Sequence, residues 1–443
     1  MIFFYYLKLA MRSILATPLV SLVTIAAIAI GISVSMTMVT IRHIFDSDPI
    51  PQKSSRLFNV RVDNWDPNGV FFAVPEGEPP KTVTYHDMER LLKSDIPTGQ
   101  TGIASAMAYV FPEKKELRPY QAMVTLCHAN FFPMFDVPFA YGSGWSKEDD
   151  AQRGLVVVLT AESNDRLFGG EDSVGRKVKL GPNYYTVVGV MEPWRMVPNA
   201  YDMINNPLGN TQPFFMPFDS IRETSRQLTR TGNIDGWGPT GTGPDAFFTM
   251  EEVNWVQFWV ELPKNQVASY TGYVDSYVTE QKAFGRFPKP MNNRVTPLVP
   301  WVQERDFNRN ATQLLTLISL LFLLVCALNL SGLLLGKFVA RANQVGVHRA
   351  LGASKSAIFW QHLMECNLVG IVGGLVGLGL TFAGLWGVNS LLPSQFVASN
   401  LFQMDMTMLI TTILLAVLAS AVSGLYPAWR ACSIEPAIQI KIQ

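Results

Sequence analysis

Long uncharged hydrophobic runs stand at both ends of the chain. Four of them contain no Asp, Glu, Lys or Arg, and they cover residues 13–41, 310–336, 366–392 and 406–429. Each exceeds the roughly 20 residues that a helix needs to cross about 30 Å of hydrocarbon. The pattern predicts a lead segment at 1–18 and four transmembrane helices, placed at 19–42, 310–336, 366–392 and 406–429.

The segment 43–308 has a different pattern, because short apolar runs alternate there with turns and charged residues. A buried strand followed by a helix is expected from Gly154, and a hairpin around Gly181–Asn183. Two stretches rich in Gly and Pro, 66–80 and 205–244, are expected to be irregular. The other expected elements are strands at Leu57–Val62 and in NWVQFWVEL, and helices at Tyr85–Ser94 and Gln266–Ala283. The prediction is an α+β domain of two lobes, the second at roughly 150–250, inserted between the first and second membrane helices.

A cleaved signal peptide is the alternative interpretation of the first hydrophobic run, since Lys8 and Arg12 precede it. Its uncharged run is much longer than the roughly 7–15 residues of a signal sequence, and no small-residue cleavage site follows before Arg42. A retained membrane helix is therefore favoured.

Composition and charge orient the chain. With 48% hydrophobic and 16% charged residues, the 443-residue chain is too apolar for an ordinary soluble protein and too charged to lie wholly in a membrane. The chain has no net charge, but its charges are unevenly distributed. Outside 43–308 there are 10 Lys and Arg and 3 Asp and Glu, whereas inside it there are 25 Lys and Arg and 32 Asp and Glu. The positive-inside rule places 1–18, 337–365 and 430–443 in the cytoplasm. The large domain and the short turn 393–405 then face outward.

Catalytic and metal-binding motifs are missing from the sequence. Gly170 and Gly175 have the spacing of a phosphate-binding loop, but Arg-Lys-Val follows where Lys and Ser or Thr are needed. The five histidines show no metal spacing, and Cys127 is the single cysteine of the outer domain. The acidic run Glu148–Asp150 is better explained as a solvated loop than as an ion site. No enzyme activity, bound cofactor, metal or nucleic-acid partner is expected.

Small residues recur along two of the membrane helices. Such G-x-x-x-G spacings allow close contact between helix backbones, although glycine is common in membrane helices anyway. The candidate packing residues are Gly332, Gly336, Gly370, Gly373, Gly374 and Gly377. No charged residue stands inside the four predicted spans, so an ion-coupled transport path is not expected.

The loop 337–365 contains the short basic stretch VGVHRALGASKS. A helix is expected over Ala340–Leu351, ended by Gly352, and a new helix is expected from Ser354 as N-cap. Val345, Val347 and Leu351 would offer apolar contacts to a cytoplasmic protein. A loop that merely anchors lipid headgroups is the open alternative.

The stretch ARANQVGVHRALGASKSAI resembles a segment of MacB-type, FtsX-like ABC permeases that usually reads R-x-R-E-I-G-I-R-R-A-L-G-A-S. The lead and first span, the run NFFPMFDVPFAYGSGW, the hairpin region and the tail GLYPAWRACSIEPAIQI are also similar to that family. The resemblance covers nearly the whole chain, in the order of one span, a large domain and three spans.

The resemblance implies a coupling helix that touches an ATPase subunit. Its residues would be Gln344, Val345, Gly346, Val347, His348, Arg349, Ala350, Leu351, Gly352, Ala353 and Ser354. Gln344 stands where the family usually has Glu, and His348 where it has a basic residue, which weakens the ionic part of docking. Because no Walker motif occurs, ATP and Mg²⁺ are expected to be used by a separate subunit.

The resemblance further implies a bacterial inner-membrane permease in which ATP-driven motion of the coupling helices moves the outer domains. Its expected partners are the ATPase, a second identical or homologous permease, membrane lipids, and in some members an adaptor and an outer-membrane channel. Efflux of an antibiotic, a peptide or another amphiphile from the periplasm is the favoured function. Lipoprotein release, FtsX-like signalling to a cell-wall hydrolase and, least favoured, a membrane-anchored enzyme are the alternatives.

Overall fold

The computed structural model describes residues 2–66, 77–113, 116–220, 229–231, 234–236, 246–305, 309–340, 345–347, 349, 352–391 and 406–432. The chain divides into two compact units. One consists of Met1–Asp46 and Phe307–Gln443, and the other of Ser47–Asp306. We call the first the membrane unit and the second the outer unit.

Long helices build the membrane unit. Within the described residues, four helices are long and apolar enough to cross a membrane, as the sequence predicts. The helices of this unit are α1 (Ile2–Ala16), α2 (Pro18–Asp46), α10 (Arg309–Ala340), α11 (Lys355–Leu391) and α12 (Met406–Cys432). Thr17 separates α1 from α2, because Pro18 lacks the N–H that would continue the first helix.

All four spanning helices extend beyond the uncharged runs, and two of them do so through residues that pair with each other. Helix α10 continues through Lys337 to Ala340, and α11 begins at Lys355 and includes Glu365. The sequence placed the helix ends at 336 and 366 because a charge was taken to mark the edge of the membrane. The helices continue since the two charged side chains pair with each other, with 2.5 Å between Lys337 Nζ and Glu365 Oε1.

Strands and shorter helices build the outer unit. The strands are β1 (Leu57–Arg61), β2 (Val83–Thr84), β3 (Gly99–Phe111), β4 (Tyr120–Cys127), β5 (Phe139–Gly142), β6 (Val156–Leu159), β7 (Lys177–Leu180), β8 (Asn183–Met191), β9 (Phe214–Pro217), β10 (Thr229–Thr231), β11 (Asp235–Gly236), β12 (Val253–Glu261) and β13 (Arg294–Pro297). The helices are α3 (Tyr85–Leu91), α4 (Phe131–Met134), α5 (Lys147–Ala151), α6 (Ala161–Phe168), α7 (Ala246–Thr249), α8 (Val267–Ala283) and α9 (Leu298–Arg305).

The described strands of the outer unit join in one sheet. Its main path runs β13-β1-β12-β3-β4-β9-β6-β8-β5. Most neighbours are antiparallel, whereas β4 with β9 and β6 with β8 are parallel. Strands from the region 150–250 thus extend the same sheet as the strands that precede and follow it.

The sheet is buried on both faces. Successive residues of β12 alternate, since Phe258 and Val260 belong to one hydrophobic core and Trp259 to the other. Helices α3, α6 and α8 supply residues to the first core, and α4 and α9 supply residues to the second. Helices on both sides explain why the central strand β12 is buried at every position except its last.

Most sequence-predicted elements of this unit are confirmed. β1, β6 followed by α6, β12, α8 and the hairpin of β7 and β8 occupy the expected positions. The stretch 205–244 was expected to be irregular, yet β9 lies within it, buried between β4 and β6. The stretch 66–80 lies largely outside the described residues.

Candidate functional site

The candidate coupling segment is anchored by one of its valines. Val345–Val347 and Arg349 are helical. Val345 is 8% exposed and packs with Ile358 of α11 and Cys432 of α12, whereas Val347 is 56% exposed. The segment therefore uses one valine to fix itself to the membrane unit and presents the other on its surface.

A left-handed residue and a helix cap follow. Gly352 has φ +98°, a conformation that residues with a Cβ rarely adopt, and its N–H donates to the Arg349 carbonyl at 3.1 Å. The Ser354 hydroxyl oxygen accepts a hydrogen bond from the Ala357 N–H at 3.1 Å. These contacts confirm the predicted break and N-cap, and α11 begins directly after them at Lys355.

The remaining predicted coupling residues are only partly described. Gly346 is buried, Ala353 is half-buried, and Gly352 and Ser354 are exposed. Gln344, His348, Ala350 and Leu351 lie outside the described residues. Contact of this segment with an ATPase stays a prediction.

A buried ion pair joins the helices on either side of the segment. Lys337 of α10 and Glu365 of α11 have side chains that are 2% and 3% exposed. The Ser13 hydroxyl of α1 donates to Glu365 Oε1 at 2.5 Å, and Lys337 Nζ lies 3.4 Å from Ser21 Oγ of α2. Sequence reasoning assigned these residues only to the charge balance of a loop. One feature of the sequence could have singled out Glu365, since it is one of just three acidic residues outside 43–308.

Glycines of α11 contact two different helices. A Cβ at Gly370 would collide with Ser420, and one at Gly374 would lie 2.6 Å from Ala416 Cβ, both on α12. A Cβ at Gly373 would lie 2.9 Å from Ile28 Cγ2, and one at Gly377 2.9 Å from the Ala29 carbonyl, both on α2. The two G-x-x-x-G spacings of α11 thus face α12 and α2 respectively.

The two predicted packing glycines of α10 have different surroundings. Gly332 and Gly336 are exposed, and no atom described here lies within 4 Å of a Cβ placed on either. Their packing role therefore has no partner among the described residues of this chain.

Titratable groups of the outer unit support its structure. Asp150, from the acidic run considered above as an ion site, accepts hydrogen bonds from Trp145 Nε1 at 2.8 Å and from the Ala129 N–H at 2.7 Å. Burial raises the pKa of Asp150, and it raises the pKa of the Cys127 thiol well above its usual range. Within the described residues, no group of His, Cys, Asp and Glu could hold a metal ion.

Two family matches cover most of the chain. Residues 21–265 match the family described as MacB-like periplasmic core domain. Residues 316–436 match the FtsX-like permease C-terminal family. The first match alone spans more than half of the chain, and the second includes α11 and the candidate coupling segment.

Curated relatives are export proteins. The chain is 24% identical over 309 residues to a probable export ATP-binding/permease protein MacB of Pseudomonas entomophila, covering 69% of this chain and 40% of that protein. It is 21% identical over 441 residues to a macrolide export ATP-binding/permease protein MacB of Neisseria gonorrhoeae, covering 98% of this chain and 61% of that one. The chain thus spans about 40 to 60% of the length of these relatives.

Comparison with solved structures also matches the periplasmic region of MacB from Actinobacillus actinomycetemcomitans, with 11% identity and a TM-score of 0.37 over 57% of this chain and 94% of that one. A second is the extracellular domain of the noncanonic ABC-type transporter YknZ from Gram-positive bacteria, with 11% identity and a TM-score of 0.34 over 54% and 99%. From the family matches, the chain belongs to the family of ABC permeases that combine a MacB-like periplasmic core domain with an FtsX-like C-terminal domain.

Proposed function

We propose that the chain is the permease subunit of an ATP-driven exporter of the bacterial inner membrane. A separate ABC ATPase hydrolyses ATP, and its motion reaches the permease through the coupling segment. The observation that carries this proposal is the pair of valines. Val345 is fixed against α11 and α12, while Val347 is 56% exposed beside it. The exposed valine can contact a docked protein, and the anchored valine can transmit a displacement of the segment to α11 and α12.

The transported compound is an amphiphile taken from the periplasm, moved by two permease copies with an adaptor and an outer-membrane channel. Two kinds of relative support this class, since their names refer to export of macrolides and of syringafactin. In the described parts of the spanning helices, the charged residues lie outside the long uncharged stretches, and Glu365, ten residues inside α11, is paired with Lys337. Energy is accordingly expected from ATP and not from ion flow through the helices.

Recovery of the ATPase tests the proposal. Tagged chain is purified from native membranes, its subunits are identified by mass, and ATP hydrolysis of the complex is measured. Val347→Asp places a charge in the apolar contact and should abolish co-purification. The control is Phe284→Asp in the outer unit, where Phe284 is 75% exposed. Normal ATPase recovery with Val347→Asp, or none with the unaltered chain, would contradict the proposal.

A further inference from the structure

The buried ion pair of the membrane unit joins residues from separate helices. Lys337 stands three residues before the end of α10, and Glu365 lies ten residues after the start of α11. The coupling segment lies between them in the chain. Ser13 of α1 and Ser21 of α2 complete the set, which we call the latch: Ser13, Ser21, Lys337 and Glu365.

The latch is a specific arrangement of charges. The Lys337 ammonium and the Ser13 hydroxyl both approach Glu365 Oε1, at 2.5 Å each, and the second Lys337 contact goes to Ser21 Oγ at 3.4 Å. His362 Nδ1 is 3.9 Å from Glu365 Oε2, beyond hydrogen-bond distance. Its ring instead packs on Phe338, with 4.1 Å between ring centroids. This ring contact ties α10 to α11 beside the ion pair.

Burial makes the arrangement strict. A buried charge that has lost its partner is strongly unfavourable in free energy. Any movement that separates Lys337 from Glu365 inside the protein is therefore opposed. Apolar contacts between helices carry no such requirement, because an apolar side chain that changes its neighbours leaves no buried charge unpaired. The latch therefore holds α1, α2, α10 and α11 in one relative position near Lys337. Further along, their contacts are mostly apolar and small-residue packing, with one buried hydrogen bond from the Ser35 hydroxyl of α2 to the Ser319 carbonyl of α10 at 2.8 Å.

We propose that Lys337 and Glu365 are positioning residues for coupling. They keep α1 and α10 fixed to α11, so that a displacement of the coupling segment moves these helices as one body. The inference rests on the proposed function in one respect, namely that a docked ATPase displaces the coupling segment. The attachment of the helices to one another rests on the geometry of the latch alone. Neither residue contacts the ATPase or the transported compound in this scheme.

Matched variants separate a latch from a simple stabilising contact. Lys337→Met and Glu365→Met each leave one buried charge without its partner, and should lower the apparent melting temperature by on the order of 10 °C. The double variant Lys337→Met with Glu365→Met removes both charges and should regain most of that loss. Lys8→Met, at an exposed residue of α1, is the control.

Spin labels then report whether the helices still move together. Labels are attached at Leu15 of α1 and Trp360 of α11, which are 76% and 54% exposed, after the four native cysteines are replaced by alanine. In lipid nanodiscs without ATPase or nucleotide, the distance distribution should be narrow in the otherwise unaltered chain and in Lys8→Met. It should broaden in the double Met variant, although that variant is folded.

An equally narrow distribution in the folded double Met variant would overturn the latch. Co-purification of the ATPase, measured on the same variants, addresses the proposed function separately. If the unaltered chain recovers no ATPase, the proposed function fails while the label distances still decide the latch. A third outcome supports both the proposed function and the latch. In it, the double variant recovers the ATPase, and adding ATP changes the distance between its labels but not the distance in the unaltered chain.

Discussion

Gln257 donates a hydrogen bond from Nε2 to Asp202 Oδ1 at 2.9 Å, across 55 residues of chain and inside the core of the outer unit. Asp202 is 2% exposed, and Asn205, Gln212 and Ser105 also donate to its carboxylate. Neutral donors surround the group, and no Lys or Arg lies among its hydrogen-bond partners described here. Burial raises the pKa of Asp202 to about 6 in spite of these hydrogen bonds.

The stability of the outer unit should depend on pH through Asp202. The folded state binds the proton more tightly than the unfolded state, so stability is greatest below about pH 4 for this group and falls as pH rises toward 6. The loss amounts to about 3 kcal/mol at most, since one pKa unit corresponds to about 1.4 kcal/mol. Denaturation of the full chain by urea at several pH values measures it. Asp202→Asn should remove this slope, and Glu148→Gln at an exposed position should keep it; an unchanged slope in Asp202→Asn would assign the effect elsewhere.

The buried carboxylate of Asp87 in the outer unit is paired with the guanidinium of Arg286. Arg286 Nη2 lies 3.0 Å from Asp87 Oδ1, and the Asp87 side chain is fully buried. Arg286→Met leaves that carboxylate without its cation and should lower the free energy of unfolding by about 3–5 kcal/mol. Arg56→Met, which breaks the partly exposed pair with Glu261, should cost about 1 kcal/mol or less, because the Arg56 side chain is 47% exposed. Equal losses in the two variants, measured by urea denaturation, would refute this ranking.

Two glycines of α11 should respond differently to the same change. Gly377→Ala places a Cβ about 2.9 Å from the Ala29 carbonyl of α2, so the helices must separate. Gly379→Ala meets no atom within 4 Å among the described residues. The first should destabilise the membrane unit by about 1–3 kcal/mol, and the second should be neutral or slightly stabilising. Thermal unfolding in detergent checks this, and similar melting temperatures for both variants would contradict the close packing of α2 on α11.

The left-handed conformation of Gly352 should be needed for coupling. Gly352→Val introduces a β-branched residue at φ +98° and should displace the segment relative to α11, with loss of ATPase recovery. Gly352→Asn is the matched control, because asparagine tolerates left-handed conformations better than other residues. ATPase co-purification at equal expression distinguishes them. Full recovery with Gly352→Val would show that this backbone geometry is dispensable.

The orientation of the chain can be tested with single cysteines. Position 355 should be inside the cell and position 148 outside, because eight of the ten positive charges outside 43–308 flank the membrane helices on one side. In intact cells, a membrane-impermeant thiol reagent should label Glu148→Cys and leave Lys355→Cys unlabelled. The reverse pattern would overturn the predicted topology.

The sequence by itself determined the membrane helices and many elements of the outer unit. Uncharged runs longer than 20 residues fix a spanning helix locally, since backbone groups in lipid must pair within the helix. Gly352 and Ser354 likewise act over one turn, so the break and the cap were predictable.

Only the tertiary structure decided which residues meet across long separations. Lys337 and Glu365 were taken as the charged borders of a loop, and folding pairs them because burial of one charge requires the other. Strand β9 carries no turn or alternation signal, and it exists because β4 and β6 provide hydrogen bonds on both its edges. Gly370 and Gly373 share a helix and a residue type, but which faces α12 and which faces α2 depends on helices distant in sequence. Such pairings have no local signature, since the sequence within one turn or strand does not encode the identity of the neighbour.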